Sequence, residues 1–298
     1  MSDPFEVLLD RYSQAGRISA QIRPLAKKLV VEDARIADIC ETIEDEIRAL
    51  GAKPAFPVNV CVGSVAAHFT SPPGGNDVLE AGDLVKVDYG AMMDGYIVDT
   101  ATSVNLSPLD AGIIRAAEEC LEVGIRYAKA GIDVSKIGAA IQQTAEASGF
   151  RVISNLTGHQ ITKYNLHAGG VIPNVDHGFR GKVQTNAVYA IEPFLTYSHG
   201  AGIVVERSPA YIYRLGRSRP RDQAAKALHS RIYSSYSSLP FAERWLSLST
   251  EEKGVFHDLI DSGCISTYPQ LVEKNGVAVA QAEHTIAVLA DKVIVLTK

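Results

Sequence analysis

Apolar positions in the first fifty residues recur at spacings of three and four, which is the period of an amphipathic helix. They predict one helix that ends near residue 29 and a second helix over residues 36–50, which Gly51 would terminate as a C-cap. The apolar positions are Val7, Leu8, Tyr12, Ala15, Ile18, Ile22, Leu25 and Leu29 in the first helix, and Ile36, Ile39, Ile43, Ile47 and Leu50 in the second.

The order of predicted elements then repeats along the chain. Strand and loop signals over residues 56–104 follow the first helix pair, and a second helix pair over residues 108–149 is followed by strands up to about residue 205. Each half contains an apolar run that ends in a carboxylate, Leu84-Val-Lys-Val-Asp88 and Ala187-Val-Tyr-Ala-Ile-Glu192. This repetition predicts an α+β fold in which two related halves form one pseudo-symmetric domain.

Residues 206–272 differ in character from the rest of the chain. Ser249 with Glu252 three positions later is a capping-box signal for a helix. We predict an inserted helical subdomain over residues 206–272 and a main domain built from residues 1–205 and 273–298. The helical segments expected in the insert are Ala224–Leu228, Phe241–Leu246 and Glu251–Ile260.

Composition and charge indicate an ordinary globular protein. The chain has 298 residues, 46% hydrophobic and 21% charged, with a formal net charge of −5, which argues against nucleic acid as the main partner. The four cysteines form no Cys-x-x-Cys pair, so we expect buried free thiols. No apolar run reaches the roughly 18 residues of a membrane span, and we expect a cytoplasmic protein without membrane contact.

Two aspartates are predicted to share one face of a β-hairpin. Asp94-Gly95 is a strong signal for a two-residue turn, and it would pair positions whose numbers sum to 189. Asp88 would then face Ala101, and Asp99 would be its diagonal neighbour, about 7–8 Å away at the backbone. A bound cation would hold two such carboxylates together; salt bridging, for example by Lys86, is the alternative.

Histidines and further carboxylates also lie in apolar or glycine-rich surroundings. His159 and His167 are near glycines, and His68 follows two alanines. Glu192 and Glu283 interrupt apolar strand patterns, where carboxylates are rarely buried unless they are paired or bound to metal. Each histidine could instead be an ordinary core residue. Together, four carboxylates and a histidine favour a site for two divalent ions and metal-assisted hydrolysis.

The residues around these positions resemble the pita-bread family of metallopeptidases, which includes methionine aminopeptidases, proline-specific aminopeptidases and prolidases, and creatinase. The resemblance covers essentially the whole chain. Because Glu192 and Glu283 lie 91 residues apart with the predicted insert between them, the chain resembles the type 2 methionine aminopeptidases, in their archaeal form. The matching segments are Phe56–Asn59, Ala66–Thr70, Val87–Gly90, Gly158-His159, Leu166–Gly169, Ala190–Pro193 and Glu283–Thr285.

The resemblance implies a pita-bread fold, a role for each residue, and removal of the initiator methionine before a small second residue. Asp88 would bind the second of two metal ions and His159 the first, with Asp99 and Glu283 bridging both. Glu192 would bind the first ion and act as general base. The remaining implied assignments are His68 and His167 as hydrogen-bonding partners of the scissile peptide, and Phe56, Pro240 and Tyr268 as walls of the methionine pocket.

The resemblance also implies cofactors and partners. The two ions would be cobalt, manganese, iron or zinc, since all suit this ligand set. The substrate would be the N-terminus of a nascent polypeptide, with the ribosome as a candidate partner of a monomeric enzyme. One departure concerns residues 195–202, which differ from the usual short glycine-rich run, so a pocket role for His199 stays open.

Two alternatives follow from the same residues. One is a proline-specific aminopeptidase or dipeptidase on the same fold. The other is a non-catalytic relative that binds protein or RNA, although such relatives lose ligands and all five positions here keep competent side chains. Tyr268 could also belong to the core of the insert instead of the pocket. No Gly-x-Ser-x-Gly, His-Glu-x-x-His or Walker A motif supports another hydrolase mechanism.

Overall fold

The N-terminal apolar stripes form two helices in the computed structural model, which describes residues 4–298. The first, α1, spans Pro4–Leu29 and the second, α2, spans Ile36–Ala49. Gly51 follows α2 with a φ of 86°, in the left-handed conformation that glycine adopts most easily at a helix C-terminus. The predicted N-terminal helix pair is therefore confirmed. No helix within residues 4–298 is both long and apolar enough to cross a membrane.

The remaining elements follow the predicted alternation of strands and helices. Short 3₁₀ turns cover Pro108–Asp110 and Glu243–Trp245. The strands and helices after α2 are β1 (Lys53–Pro54), β2 (Asn59–Val62), β3 (Val65–Ala67), β4 (Leu84–Met93), β5 (Tyr96–Asn105), α3 (Ala111–Tyr127), α4 (Val134–Ala147), β6 (Phe150–Val152), β7 (Thr157–Ile161), β8 (Val171–Pro173), β9 (Ala187–Ile191), β10 (Phe194–Tyr197), β11 (Val204–Leu215), α5 (Gln223–Tyr236), β12 (Phe241–Ala242), α6 (Thr250–Asp261), β13 (Ile265–Glu273), β14 (Val279–Gln281), β15 (His284–Val288) and β16 (Val293–Val295).

The first half packs α1 and α2 on one antiparallel sheet. Strand β4 pairs with β1, β2 and β5, and its long partner β5 lies against α1. Ile22 of α1 and Ile43 of α2 are fully buried against Val85 and Val87 of β4. Burial of this apolar face is the main driving force for the first half.

The second half has the same arrangement, with α3 and α4 as its helix pair. Its sheet runs in the order β16-β15-β9-β7-β8, and a smaller sheet has the order β14-β10-β6. Ile137 and Ile141 of α4 share a buried cluster with Ile191 of β9 and Ile286 of β15. A helix pair on an antiparallel sheet thus occurs twice, which is the arrangement that the repeated order of elements predicted.

Residues 206–272 contain more β-structure than expected. The strands β11 and β13 form a long antiparallel pair in a sheet of order β12-β11-β13-β3, and α5 and α6 share a buried cluster with it. The predicted helix over Phe241–Leu246 is wrong, because this segment forms β12 and a 3₁₀ turn that packs against α2. The capping box of Ser249 and Glu252 at the start of α6 is confirmed.

Candidate metal centre and substrate pocket

The β4–β5 hairpin brings Asp88 and Asp99 onto one face. Asp94 and Gly95 form its turn with φ values of 52° and 91°, as a type I′ turn requires. Asp88 pairs with Ala101 and Gly90 pairs with Asp99, so the predicted register, with numbers summing to 189, is confirmed. The two carboxyl groups are close enough that Asp99 contributes to raising the pKa of Asp88. Lys86 does not neutralise them, since its ammonium group donates to the carbonyl oxygen of Gly63 at 2.7 Å.

His159 reaches this face from β7. Gly158 makes the approach possible, because a Cβ atom at this position would lie 2.3 Å from the carbonyl oxygen of Ala190 on β9. The Nε2 atom of His159 lies 3.5 Å from a carboxylate oxygen of Asp99 and 3.4 Å from one of Glu192. Glu192 follows β9 directly, where the strand ends.

Glu283 completes the cluster from the short connection between β14 and β15. Asp99, His159 and Glu283 each offer a ligand atom, and these atoms lie within 4.8 Å of one another. Gln281 donates to one carboxylate oxygen of Glu283 at 3.3 Å. The structure therefore brings together all five side chains for which the sequence suggested metal binding, although they come from five separate segments.

The electrostatics of this cluster are unfavourable without a cation. Burial raises the pKa of Asp99 to about 7, and it raises the pKa of Asp88 well above its ordinary value, with repulsion from Asp99 as the next cause. Burial followed by the neighbouring carboxylates likewise raises the pKa values of Glu192 and Glu283. Burial lowers the pKa of His159 to about 4, so its imidazole is neutral at pH 7 and cannot balance the acidic groups.

The residues fit a divalent metal. One carboxylate oxygen each of Asp88, Asp99 and Glu283 is buried without a hydrogen-bond partner, which is costly unless something else satisfies it. Carboxylate oxygens and a neutral imidazole nitrogen are the donors that divalent ions such as manganese, cobalt or zinc accept. A bound cation would satisfy the unpaired oxygens and offset the repulsion among the carboxylates.

A cavity of about 210 Å³ opens beside this cluster. Asp88, Asp99, His159 and Glu192 lie in its wall, and so do the two other histidines and the three residues that the sequence suggested for a substrate pocket. The remaining wall is mostly apolar. The suggested substrate-contacting residues in the lining are Phe56, His68, His167, Pro240 and Tyr268.

His68 and His167, the two other histidines in the cavity wall, are neutral and contact neighbouring residues. Burial lowers the pKa of His68 to about 4, and its Nδ1 atom lies 3.2 Å from the carbonyl oxygen of Pro269. Because a carbonyl can only accept, Nδ1 carries the proton and Nε2 is left as an acceptor. Burial also lowers the pKa of His167, followed by the repulsion that a protonated His159 would exert, since the two ring centroids lie 4.3 Å apart.

His199, whose role in the pocket the sequence did not decide, lies away from the cluster. His199 is exposed and lines a different cavity beside Tyr197. Other residues of the site were not predicted from the sequence. Asn59 and Ile212 line the cavity beside the carboxylate cluster, and Gln281 contacts Glu283. Gln281 lies two positions before Glu283 in an apolar run, so strand alternation could have indicated it. Ile212 gives no local signal, because its strand pairs with the distant strand β13, where Ile212 lies opposite Tyr268.

Comparison with known proteins identifies the class of protein. The model of metallopeptidase family M24 matches residues 10–213, and the chain belongs to this family. Two archaeal relatives have the same name, methionine aminopeptidase. The protein of Pyrococcus abyssi is 41% identical over 97% of this chain and 99% of its own length. That of Methanothermobacter thermautotrophicus is 39% identical over 98% of this chain and 99% of its own length.

Solved structures confirm the fold. A thermophilic Arx1 superimposes with a TM-score of 0.85 at 18% identity, over 97% of this chain and 90% of that chain. The methionine aminopeptidase of Thermotoga maritima superimposes with a TM-score of 0.71 at 23% identity, over 100% and 98%. The predicted α+β pita-bread fold is therefore correct.

Proposed function

We propose that this chain is a dinuclear metallo-aminopeptidase that removes the initiator methionine from new polypeptides. The observation that carries the proposal is the convergence of four carboxylates and a neutral histidine at a cavity whose remaining wall is mostly apolar. Identity of about 40% over nearly the full length of archaeal methionine aminopeptidases supports the substrate. We expect a small residue after the methionine and action on nascent chains, with the ribosome as a candidate partner.

Two divalent ions would be held by the five side chains around the cavity. In this scheme the ligands would be Asp88, Asp99, His159, Glu192 and Glu283. When bound, paired divalent ions lower the pKa of water and polarise a carbonyl group. Cobalt, manganese, iron and zinc all suit this mixture of oxygen and nitrogen ligands.

Glu192 is our candidate for the general base. Its side chain is 14% exposed and lies in the cavity wall, where an attacking water would approach the substrate. In this role Glu192 would accept a proton from the attacking water and later deliver it to the leaving amine. The amide nitrogen of the departing chain would thereby leave as an amine.

The two cavity histidines would orient the scissile peptide. With its proton on Nδ1, His68 can accept a hydrogen bond from a substrate N–H group at Nε2. His167, neutral because of burial, can donate to the carbonyl oxygen on which negative charge develops. The two interactions would fix the peptide plane against the carboxylates.

The apolar part of the cavity would take the methionine side chain. Phe56 comes from the main body, by which we mean residues 1–205 and 273–298. Pro240, Tyr268 and Ile212 come from residues 206–272. We propose that residues 206–272 form an insert that closes one side of this pocket, and that residues 1–205 and 273–298 form the catalytic domain. An unbranched thioether adapts well to such a mixed aromatic and aliphatic wall.

Peptide hydrolysis by metal-depleted and metal-restored protein tests the proposal. We expect Met-Ala-Ser to be cleaved after metal is restored, and X-Pro peptides to be cleaved far more slowly. Preferred cleavage of X-Pro peptides would identify a proline-directed enzyme instead. Absence of all peptidase activity, together with no metal binding by titration, would indicate a non-catalytic relative.

A further inference from the structure

A buried ion pair joins residues 206–272 to the main body, away from the carboxylate cluster. Arg244, in the 3₁₀ turn after β12, makes a two-pronged contact with Glu44 of α2. The side chains are 7% and 1% exposed. Because the pair is removed from water, loss of either partner would leave an uncompensated buried charge, which is far more costly than breaking a surface salt bridge.

Both oxygens of Glu44 are fully used. Oε1 accepts from the backbone N–H of Val58 at 3.0 Å, and Oε2 accepts from the indole N–H of Trp245 at 2.7 Å, each in addition to one prong of Arg244. The carboxylate therefore connects α2, the segment before β2, and two consecutive residues of the 3₁₀ turn.

The remaining donors of Arg244 reach a further segment of the main body. Nε donates to the carbonyl oxygen of Ser71 at 3.2 Å, and Nη2 donates to the hydroxyl of Thr70 at 3.0 Å. A planar guanidinium group can make this set of contacts, whereas the compact ammonium group of lysine cannot reproduce the fork.

Three of the connected segments, those of Val58, Thr70 and Arg244, lead directly into the cavity wall. Val58 lies between the cavity residues Phe56 and Asn59, and Thr70 follows His68 by two positions. Arg244 follows Pro240 by four positions. The ion pair thus joins the two sides of the cavity that are contributed by different parts of the chain.

We propose that Glu44 and Arg244 are positioning residues that set the width of the methionine pocket and so its selectivity for the first side chain of the substrate. This inference rests on the proposed aminopeptidase function. It predicts that weakening the pair changes the discrimination among first residues more than it changes the chemical step. The reason is that the pair connects the segments of the pocket residues Phe56 and Pro240, whereas neither of its own side chains lies in the cavity wall.

The test compares two matched substitutions, Arg244→Lys and Arg231→Lys. Arg231 makes an ion pair with Glu252 at 2.7 Å on the surface of the same segment, with side chains that are 47% and 34% exposed. The kcat and KM values are measured for Met-Ala-Ser and for the same peptide with leucine or norleucine first. Metal content and thermal midpoint are measured on each variant.

We expect Arg244→Lys to raise KM for Met-Ala-Ser and to reduce its preference over the leucine peptide by roughly tenfold, which is the scale of one poorly fitted methylene. The kcat value and the metal content should change little, and Arg231→Lys should behave like the unmodified protein. An unchanged methionine-to-leucine ratio in folded Arg244→Lys would overturn the inference while leaving the proposed function intact.

Glu44→Gln provides a second variant should Arg244→Lys not fold. It keeps the shape and one acceptor oxygen but removes the charge that holds the guanidinium group. We expect the same loss of selectivity, and unchanged selectivity would again contradict the pair's role. If the unmodified protein cleaves no methionyl peptide after metal is restored, the proposed function fails and this inference fails with it.

Discussion

Replacing Thr285 tests how the backbone of Asp99 is held in the cluster. Thr285, on β15, is fully buried, and its hydroxyl accepts from the N–H of Asp99 and donates to the carbonyl oxygen of Asp99, both at 2.7 Å. Asp99 lies opposite Gly90 on β4, but these two bonds show that its backbone N–H and carbonyl groups turn towards β15. A single hydroxyl therefore satisfies two buried backbone groups.

The substitution Thr285→Val keeps the branched shape but removes this hydroxyl. Each buried backbone group left without a partner costs about 1–3 kcal/mol, so the two together cost about 2–6 kcal/mol. The unfolding entropy of a chain of 298 residues is about 600 cal/mol/K, from about 2.1 cal/mol/K per residue. We therefore expect the thermal midpoint to fall by about 3–10 °C.

The assay is thermal denaturation of the metal-depleted protein, with Thr285→Ser as the matched control. Serine retains the hydroxyl and loses only a methyl group, so we expect it to be clearly more stable than the valine variant. Titration with manganese should also show weaker binding to Thr285→Val, because the carboxylate of Asp99 moves with its backbone. Equal thermal midpoints for the valine and serine variants would show that the hydroxyl of Thr285 does not stabilise the backbone of Asp99.

Three further substitutions test the site. Glu192→Gln removes the proposed base but keeps its shape, so Met-Ala-Ser turnover should be lost while circular dichroism stays unchanged; near-normal turnover would exclude this role. His68→Ala should lower turnover by roughly 10²-fold and leave two ions bound by titration, and loss of metal would show that His68 is a ligand. Gly158→Ala forces a Cβ atom to 2.3 Å from the oxygen of Ala190, so denaturant unfolding should show a loss of about 1–3 kcal/mol; unchanged stability would mean that β7 can shift away from β9 freely.

Local patterns in the sequence were sufficient for much of the fold. The helical periods of α1 to α4 and the Asp94-Gly95 turn involve neighbours within one or a few turns of chain, so composition and spacing encode them. The turn even gave the register that places Asp88 and Asp99 on one face, because a two-residue hairpin leaves a single way to pair its strands.

Contacts between distant segments could not be predicted in this way. Strands β11 and β13 pair across about 50 residues, with a register irregularity between Arg207 and Ile212, so their strand character depends on a distant partner. Phe241–Leu246 contains good helix formers, yet Arg244 and Trp245 in this segment bond instead to Glu44 of α2. Tertiary contacts overrode local propensity there.

The same difference between local patterns and contacts of distant segments applies to the candidate site. Glu192 and Glu283 stood out because carboxylates in apolar strands need a compensating partner, and this is visible in the sequence. Arg23 gave no such signal, although it donates to the carbonyl oxygens of Ala101 and Glu283 behind the cluster at 3.0 and 3.1 Å. Its position depends on how α1 packs across β5, which no local pattern encodes.

Anomalous diffraction from crystals soaked with manganese and free methionine tests whether the five side chains bind a pair of ions beside the methionine pocket. We expect two anomalous peaks about 3.5–4 Å apart, each coordinated by members of the set Asp88, Asp99, His159, Glu192 and Glu283. The methionine side chain should lie against the apolar part of the same cavity. Manganese bound elsewhere, with these five side chains free of metal, would contradict the account.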